Sequence, residues 1–308
     1  MNSVPHAEPP PRSNPGRRLS SFFHRHDRLR LGTLLAAPVA WLVVVYLGSL
    51  ALLLMAAFWD TEPFTNDIVR RWNLDSFRQL WEQDVYRDVA WRTIKMAGLV
   101  TLADAVIAFP IAYYMARVAS PRTRNLLVVA VLTPLWASYL VKAFAWRTML
   151  GEQGFINWLL DPLGLGPPGD DWHVGSGWYS WDVDLWLTFA YFWLPFMILP
   201  IYAGLERIPS SLLEASGDLG ARAVRTFFRV TLPLAFPAVV AGSIFTFSLT
   251  LGDYILPRFI ADQQFVGTVI YERRSSALPF AAAFAMVPIL VMTAYLFVAK
   301  RLGAFKEL

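Results

Sequence analysis

The sequence predicts an all-α, polytopic membrane protein with six transmembrane helices. Of its 308 residues, 56% are hydrophobic and only 16% are charged, which is unlike the balance of a soluble domain. Apolar runs of about 20 residues, the length that crosses the hydrocarbon of a bilayer, recur along the chain. Lys and Arg are concentrated in alternate loops between these runs, as expected when successive loops lie on opposite sides of a membrane.

The first 31 residues are rich in Pro, Arg and His and have no apolar periodicity. We expect a disordered tail on the cytoplasmic side, followed by one membrane domain over residues 32–308. The tail is not a secretory signal peptide, because no small-residue cleavage site follows a short apolar core.

Six apolar runs follow the tail, and each is long enough to span a bilayer. They cover residues 32–58, 90–116, 125–149, 184–205, 232–256 and 279–299. The fourth is the weakest, because Pro195 and Pro200 interrupt it. Proline is nevertheless tolerated in membrane helices whose neighbours satisfy the freed backbone groups.

The loop charges predict the orientation of the chain. Sixteen Lys and Arg residues lie in the N-terminal tail, the 117–124 loop, the 206–231 loop and the C-terminal tail, whereas the other three loops contain seven. The positive-inside rule therefore places both termini and the 206–231 loop in the cytoplasm. The 150–183 loop contains five acidic residues and neither Lys nor Arg, so we expect it to face the periplasm.

The 206–231 loop is the longest polar interruption late in the chain, and its residues are spaced as in two short helices. Ser211 and Glu214 have the spacing of a capping box at a helix start, just after Pro209. Gly220 suits the left-handed residue that follows a helix C-terminus. We therefore expect two short helices outside the membrane, with a turn at Gly220.

Basic residues mark the second of these helices. Arg222, Arg225 and Arg229 would lie along one face, and Pro233 would mark the entry to the next apolar run. Asp218 and Arg222 are four residues apart, and such a pair supports a helix locally.

The same loop resembles the EAA motif of the permease subunits of bacterial binding-protein-dependent ABC importers. The residues that carry the resemblance are Glu214-Ala215-Ser216, Gly220-Ala221, Leu232-Pro233 and Pro237. Ser216 replaces the second alanine of the motif, which exchanges one small residue for another. The ordered set over 24 residues, between two predicted spans, is a far more specific signal than a lone Glu-Ala-Ala.

The resemblance implies a type I importer permease core made of the last five spans, in a bacterial inner membrane. It implies two ATP-binding ABC subunits that use ATP and Mg²⁺, a second permease subunit (identical or different) and a periplasmic substrate-binding protein as partners. It also implies that the loop is the coupling helix, which docks on the ATPase. The residues assigned to this contact are Glu214, Ala215, Ser216, Gly217, Asp218, Gly220, Ala221 and Arg222.

We expect no catalytic site, metal or bound cofactor in the chain itself, and hence a permease and not an enzyme. The phosphate-binding pattern G-x-x-x-x-G-K-[ST] is absent, and the four His residues lack ligand spacing. The basic residues cluster beside apolar runs, which argues against nucleic-acid binding.

Asp104 falls near the middle of the second predicted span. A charge at that depth is costly unless it faces a cavity or a partner, so Asp104 either lines the pathway or pairs with another span. Arg92, Lys95 and Arg147 lie nearer the span ends, where a long side chain reaches the interface.

The stretch from Thr250 to Pro257, with Leu-Gly-Asp-Tyr at its centre, resembles the spermidine/putrescine branch of the family. Asp253 and Tyr254 would suit a cationic amine through charge and cation–π attraction, although Asp253 could equally cap a helix that breaks before Pro257. The sequence therefore predicts a polyamine as the substrate. The alternatives are another small solute or, from a different class, an ATP-independent secondary transporter.

Overall fold

The computed structural model describes residues 35–62, 67–163, 172–174 and 181–301, which are helical apart from two short hairpins and the connecting loops. Asp60–Thr61 pairs antiparallel with Ile68–Val69, and His173–Val174 pairs with Trp181–Asp182. The predicted tail, residues 1–31, lies outside the described residues.

The chain divides after Met55 into two compact units. In the first unit, the structure describes helix α1, Leu35–Ala56, whose last residue belongs to the second unit. Helix α1 contains a π-helical stretch at Leu42–Leu47. Large apolar side chains of α1, among them Trp41, Val44 and Tyr46, are exposed, as suits a helix whose solvent is lipid.

The second unit contains the remaining helices. They are α2 (Asp75–Glu82), α3 (Asp84–Tyr113), α4 (Pro121–Trp136), α5 (Tyr139–Leu150), α6 (Phe155–Leu160), α7 (Val183–Arg207), α8 (Ser210–Asp218), α9 (Ala223–Thr226), α10 (Leu232–Gly252), α11 (Ile255–Ile260), α12 (Val266–Arg273) and α13 (Leu278–Arg301). A π-helical turn at Tyr114–Val118 extends α3, and a second at Phe227–Thr231 joins α9 to α10.

Five helical segments in the described residues are long and apolar enough to cross a membrane: α1, α3 with its π turn, α7, α9–α10 and α13. The sixth candidate is α4 with α5, which meet at an angle of 95°. The predicted third span, residues 125–149, therefore corresponds to two helices joined by a sharp bend. The two halves are only about 24 and 18 Å long, and the backbone at Ala137 and Ser138 between them is extended. Pro134 weakens the helix just before the break, because it lacks the amide that would bond to the fourth residue back.

Helix α7 runs without a break through Pro195 and Pro200, so the predicted fourth span is confirmed and tolerates both prolines. Pro195 is buried, and α7 packs against both α3 and α10. Neighbouring helices on two sides hold the chain in a helical path where proline removes a hydrogen bond.

The core of the second unit lies where α3, α7 and α10 meet. One apolar cluster joins Met96 and Val100 of α3 to Phe189 and Phe192 of α7, and another joins Ala108 and Ala112 to later residues of α7, including Met197 and Ile201. Helices α7 and α10 approach closely at glycines: a Cβ at Gly242 would lie 2.8 Å from Sδ of Met197. Small residues permit such contacts between membrane helices.

Candidate functional site

The first helix of the polar loop, α8, begins at Ser210. Pro209 is its N-cap, with extended backbone, and no side chain caps the first turn. The predicted capping box of Ser211 and Glu214 is therefore wrong, because Ser211 already lies inside the helix, whereas a capping residue must lie at its edge.

Helix α8 ends in a Schellman motif centred on Gly220. The amide of Ala221 donates to the carbonyl of Ser216 at 3.1 Å, and that of Gly220 donates to the carbonyl of Gly217 at 2.8 Å. Gly220 has φ = 76°, a conformation that costs any residue with a Cβ. The predicted left-handed turn at this glycine is confirmed.

The second predicted helix is not separate. Ala223–Thr226 continues through the π turn into α10, so residues 223–252 form one 30-residue helical rod. Pro233 lies at the start of α10 and does not break the rod. Arg222 is the N-cap and lies outside the helix, so it does not share a helical face with Arg225 and Arg229.

The turn at Gly220 also separates Asp218 from Arg222. Helix α8 ends at Asp218, so the i,i+4 geometry that the predicted pair requires is absent. No ion pair joins the two side chains in the described part of the chain.

One contact joins α8 to the rod, and another attaches the rod to the core. The hydroxyls of Ser216 and Thr226 lie 2.9 Å apart and join the two arms of the loop. The ring of Phe227 packs edge-on against Phe109 and Tyr113 of α3, at 5.4 and 6.2 Å between centroids. The hydroxyl contact joins the two arms of the loop, and the ring contacts join the loop to the core. The spacing of residues along the sequence predicts neither.

Arg117 forms a further attachment. Its Nη2 donates to the carbonyl oxygens of Leu205 and Ile208, at 2.5 and 2.6 Å. These carbonyls lie at the end of α7, where the last backbone acceptors of a helix lack the usual i+4 donors. The carbonyl of Leu205 also accepts from the amide of Ile208, at 3.3 Å. Nearby, Arg124 forms an ion pair of 3.3 Å with Glu206, which also accepts a hydrogen bond from Tyr202.

The loop presents exposed apolar side chains. Leu219, at the turn, is 89% exposed, and Leu212, Val224 and Phe228 are also exposed. Of the eight residues assigned to the ATPase contact, Ser216 and Ala221 are half-buried, and the others are exposed. An apolar surface rimmed by charged residues is typical of a docking site for another protein.

Asp104 occupies an unusual environment in α3. Its exposed fraction is 0%, and neither carboxylate oxygen has a hydrogen-bond partner. Val100 and Ala108, one turn to either side, are also fully buried. The alternative of an ion pair with another span is not realised in this conformation.

The basic residues of the spans all have other contacts. Arg92 donates to Oε1 of Gln263 at 2.6 Å. Nζ of Lys142 lies 4.4 Å from the ring centroid of Phe192. The guanidinium of Arg147 lies 4.9 Å from the ring centroid of Phe259. No cluster of three or more His, Asp or Glu side chains that could hold a metal ion occurs among the residues that the structure describes.

Asp253 follows the end of α10, and its carboxylate is fully engaged. Oδ1 accepts from the amides of Ile255 and Leu256, at 2.8 and 3.0 Å. Oδ2 accepts from the hydroxyl of Tyr139, at the start of α5. This arrangement favours the capping alternative for Asp253, because the carboxylate satisfies the free amides that begin α11.

Tyr254, the next residue, is exposed and stacks on Tyr271 of α12, with 4.5 Å between ring centroids and 15° between ring planes. Arg274 covers the other face of Tyr271, with Cζ 3.6 Å from its centroid. Both tyrosines line two cavities, of about 250 and 390 Å³. No local sequence pattern indicates Tyr271, which is 17 positions from Tyr254.

Comparison with known proteins reveals a family match. The family described as "Binding-protein-dependent transport system inner membrane component" matches residues 108–304. The chain is 45% identical to the inner membrane ABC transporter permease protein YdcU of Escherichia coli K12, over 96% of this chain and 97% of that protein. It is 28% identical to the spermidine/putrescine transport system permease protein PotB of Haemophilus influenzae, over 84% and 89% of the two chains.

Two solved structures share the fold. One, from a bacterial ABC transporter involved in the import of the acidic polysaccharide alginate, has a TM-score of 0.67 at 19% identity and covers 92% of this chain and 99% of that one. The other is the alginate transporter in complex with its pentasaccharide-bound periplasmic protein, with a TM-score of 0.65 at 19% identity and coverage of 92% and 96%.

Proposed function

Because the chain belongs to the family of binding-protein-dependent transport system inner membrane components, we propose that it forms a translocation pathway for a small organic cation, in the first place a polyamine. It is a multi-pass inner-membrane permease subunit of an ABC importer and not an enzyme. The proposal concerns its substrate, its partners and the parts of the chain that serve each.

The observation that carries the substrate proposal is Asp104. It places a carboxyl group with no partner among the packed helices of the membrane domain. A cation that crosses an apolar path loses its hydration, and a carboxylate in low dielectric offsets part of that cost more strongly than it would in water. Polyamine permeases of the PotB type are also among the relatives of the chain.

The second contact region is Tyr254 with Tyr271. An exposed pair of stacked rings beside two cavities offers cation–π attraction to an ammonium group. We assign Asp253 a supporting role in this region, because its carboxylate fixes the turn from which Tyr254 projects. The acid-rich 150–183 loop, which we place in the periplasm, would attract the same cations.

The loop around Gly220 is the proposed coupling site. We assign Glu214, Gly217, Asp218 and the exposed Leu219 to contact with an ATP-binding subunit, with the Schellman turn holding α8 at a fixed angle to the rod. Hydrolysis of ATP with Mg²⁺ would take place in two copies of that partner. A second permease subunit and a periplasmic binding protein complete the complex, and both chain termini lie in the cytoplasm.

The alternative is a permease for another small solute. The importer of acidic alginate shares this fold, so the architecture by itself does not select the charge of the solute. The buried acid Asp104 and the amine-transporting relatives favour a cation.

Uptake by the reconstituted complex in proteoliposomes tests the substrate proposal. We expect ATP-dependent uptake of radiolabelled spermidine in the presence of the binding protein, and at least a tenfold reduction in Asp104→Asn. Asp88→Asn is the matched control, because Asp88 is an exposed acid on the same helix, and it should transport normally. If a solute other than a polyamine stimulates ATP hydrolysis and is taken up, the polyamine proposal fails and the permease assignment remains.

A further inference from the structure

The buried face of α3 is apolar on both sides of Asp104. Ala97, Val100, Ala108 and Ala112 share that face, and each has an exposed fraction of 0%. Two buried threonines of α3, Thr93 and Thr101, donate their hydroxyls to carbonyls of the same helix. Asp104 differs from them, because its carboxyl group has no hydrogen-bond partner, on a helix that packs against α7 and α10.

No charge on the neighbouring helices compensates for Asp104. Helix α10 has no ionisable side chain at all. On α7, Asp184, Glu206 and Arg207 lie near the two ends. Of its two tyrosines, Tyr191 is exposed and packs on Trp146, whereas Tyr202 donates to Glu206.

Several other ionisable side chains near α3 also form no contact with Asp104, whose carboxylate oxygens have no hydrogen-bond partner. Helix α12 meets α3 near Tyr86 and Val89, more than three turns away from Asp104. Lys95, on α3 itself, is about 13 Å away along the helix axis. Tyr295 of α13, which packs near Ala97, donates its hydroxyl to Oγ of Ser243, and Lys142 lies over Phe192.

A charged carboxylate that is sealed from solvent and has neither a hydrogen-bond donor nor a counter-ion is much less stable than the neutral acid. We propose that Asp104 is an uncharged carboxylic acid in this conformation, and that a cationic substrate replaces its proton when the helices separate. The O–H bond of the acid breaks, the proton passes to water that enters the opened pathway, and the carboxylate then pairs with an ammonium group of the substrate.

The exchange of a proton for an ammonium group rests on the proposed cationic substrate, whereas the neutral acid in the resting protein does not. Dicyclohexylcarbodiimide tests the neutral acid independently of the exchange. The reagent adds to a protonated carboxyl group in apolar surroundings and leaves its whole mass on the residue. A charged, water-soluble carbodiimide reports carboxylates that face solvent.

The experiment uses the complete complex in proteoliposomes at neutral pH, with peptide mass spectrometry as the readout. We expect dicyclohexylcarbodiimide to modify Asp104 and the water-soluble reagent to leave it unmodified, with the opposite pattern at exposed Asp88. The peptide of Asp104→Asn should not be modified. If the water-soluble reagent modifies Asp104, or if neither reagent does, the proposal that Asp104 is a neutral acid is wrong.

A second arm tests the exchange. The complex is trapped with ATP, vanadate and spermidine-loaded binding protein, and modification of Asp104 should fall at least fivefold relative to the same trap with unloaded binding protein. If Asp104 is modified equally in the two traps, the proposed exchange of its proton for an ammonium group is wrong. Loss of spermidine uptake in the absence of any trap would instead point to failure of the substrate proposal, so the two failures are distinguishable.

Discussion

Arg117 donates a hydrogen bond of 2.6 Å to the carbonyl oxygen of Ile208, across 91 positions of sequence. Arg117 lies in the π turn that extends α3, and Ile208 ends α7 immediately before Pro209 and α8. The bond therefore joins the end of one core helix to the start of the loop that we assign to ATPase coupling.

Arg117→Gln should reduce the amount of substrate transported per ATP hydrolysed by several-fold. Hydrogen bonds from a charged group to the two carbonyls contribute on the order of 2 kcal/mol, and without them the end of α7 is free to move independently of α3. The measurement is uptake and ATP hydrolysis in the same proteoliposomes. Arg122→Gln is the control, because Arg122 lies five positions away and is exposed in the first turn of α4. An unchanged ratio of uptake to ATP hydrolysis in Arg117→Gln would contradict a role of Arg117 in coupling.

Gly220→Ala should lower the stability of the coupling loop and weaken coupling with it, whereas Gly217→Ala should not lower that stability. A Cβ meets nothing within 4 Å at either position, but only Gly220 has a positive φ. Alanine in that left-handed conformation costs about 1 kcal/mol, while in the helical conformation at Gly217 it gains up to about 1 kcal/mol. Co-purification of the ATP-binding subunit and thermal unfolding of the complex measure both effects. Equal behaviour of the two variants would rule out a role for the backbone conformation.

Gly242→Ala should lower the free energy of unfolding by about 1–3 kcal/mol, the usual cost of overpacking. The new methyl group would lie 2.8 Å from Sδ and 3.2 Å from Cα of Met197, so α7 and α10 must move apart. Gly98→Ala on α3 is the matched control, because a Cβ there meets nothing within 4 Å. The apparent Tm of the detergent-solubilised complex should fall for the first variant only; a fall of the same size in both would show that close packing at Gly242 is not the cause.

Orientation can be tested without background, because the chain contains no cysteine. Single Ser176→Cys and Ser211→Cys variants in intact cells should react differently with a membrane-impermeant thiol reagent. We expect the first to be labelled from outside and the second only after permeabilisation, since the loop charges place residue 211 in the cytoplasm. The reverse pattern would invert the proposed topology.

Sequence reasoning succeeded where one residue dictates the local conformation. Gly220 predicts a left-handed turn because the motif requires φ > 0 and glycine tolerates it. The all-α membrane fold follows from apolar runs of sufficient length. The family emerges from the same loop, where the order of small and acidic residues is specific.

The sequence did not predict features that depend on the angle between two helices or on contacts between residues far apart along the chain. Apolar periodicity does not predict the 95° bend between α4 and α5. Pro233 suggests a helix start, although α9 and α10 are in fact continuous. The partners of Asp253 and Arg117 lie 114 and about 90 positions away, so no local spacing identifies them. The burial of Asp104 without a partner depends on the packing of three helices and is likewise outside the reach of sequence.

The continuity of residues 223–252 gives the rod the mechanics of a lever. Its close contact with α7 at Gly242 and Met197 acts as the fulcrum, because the two backbones cannot approach further there. The arm from residue 242 to residue 252 is about 15 Å long, so a tilt of about 10° moves its tip by about 3 Å. That displacement exceeds the tolerance of a hydrogen bond. A push on the loop at Gly220 would therefore break the bond between Asp253 and Tyr139 at the opposite end of the rod.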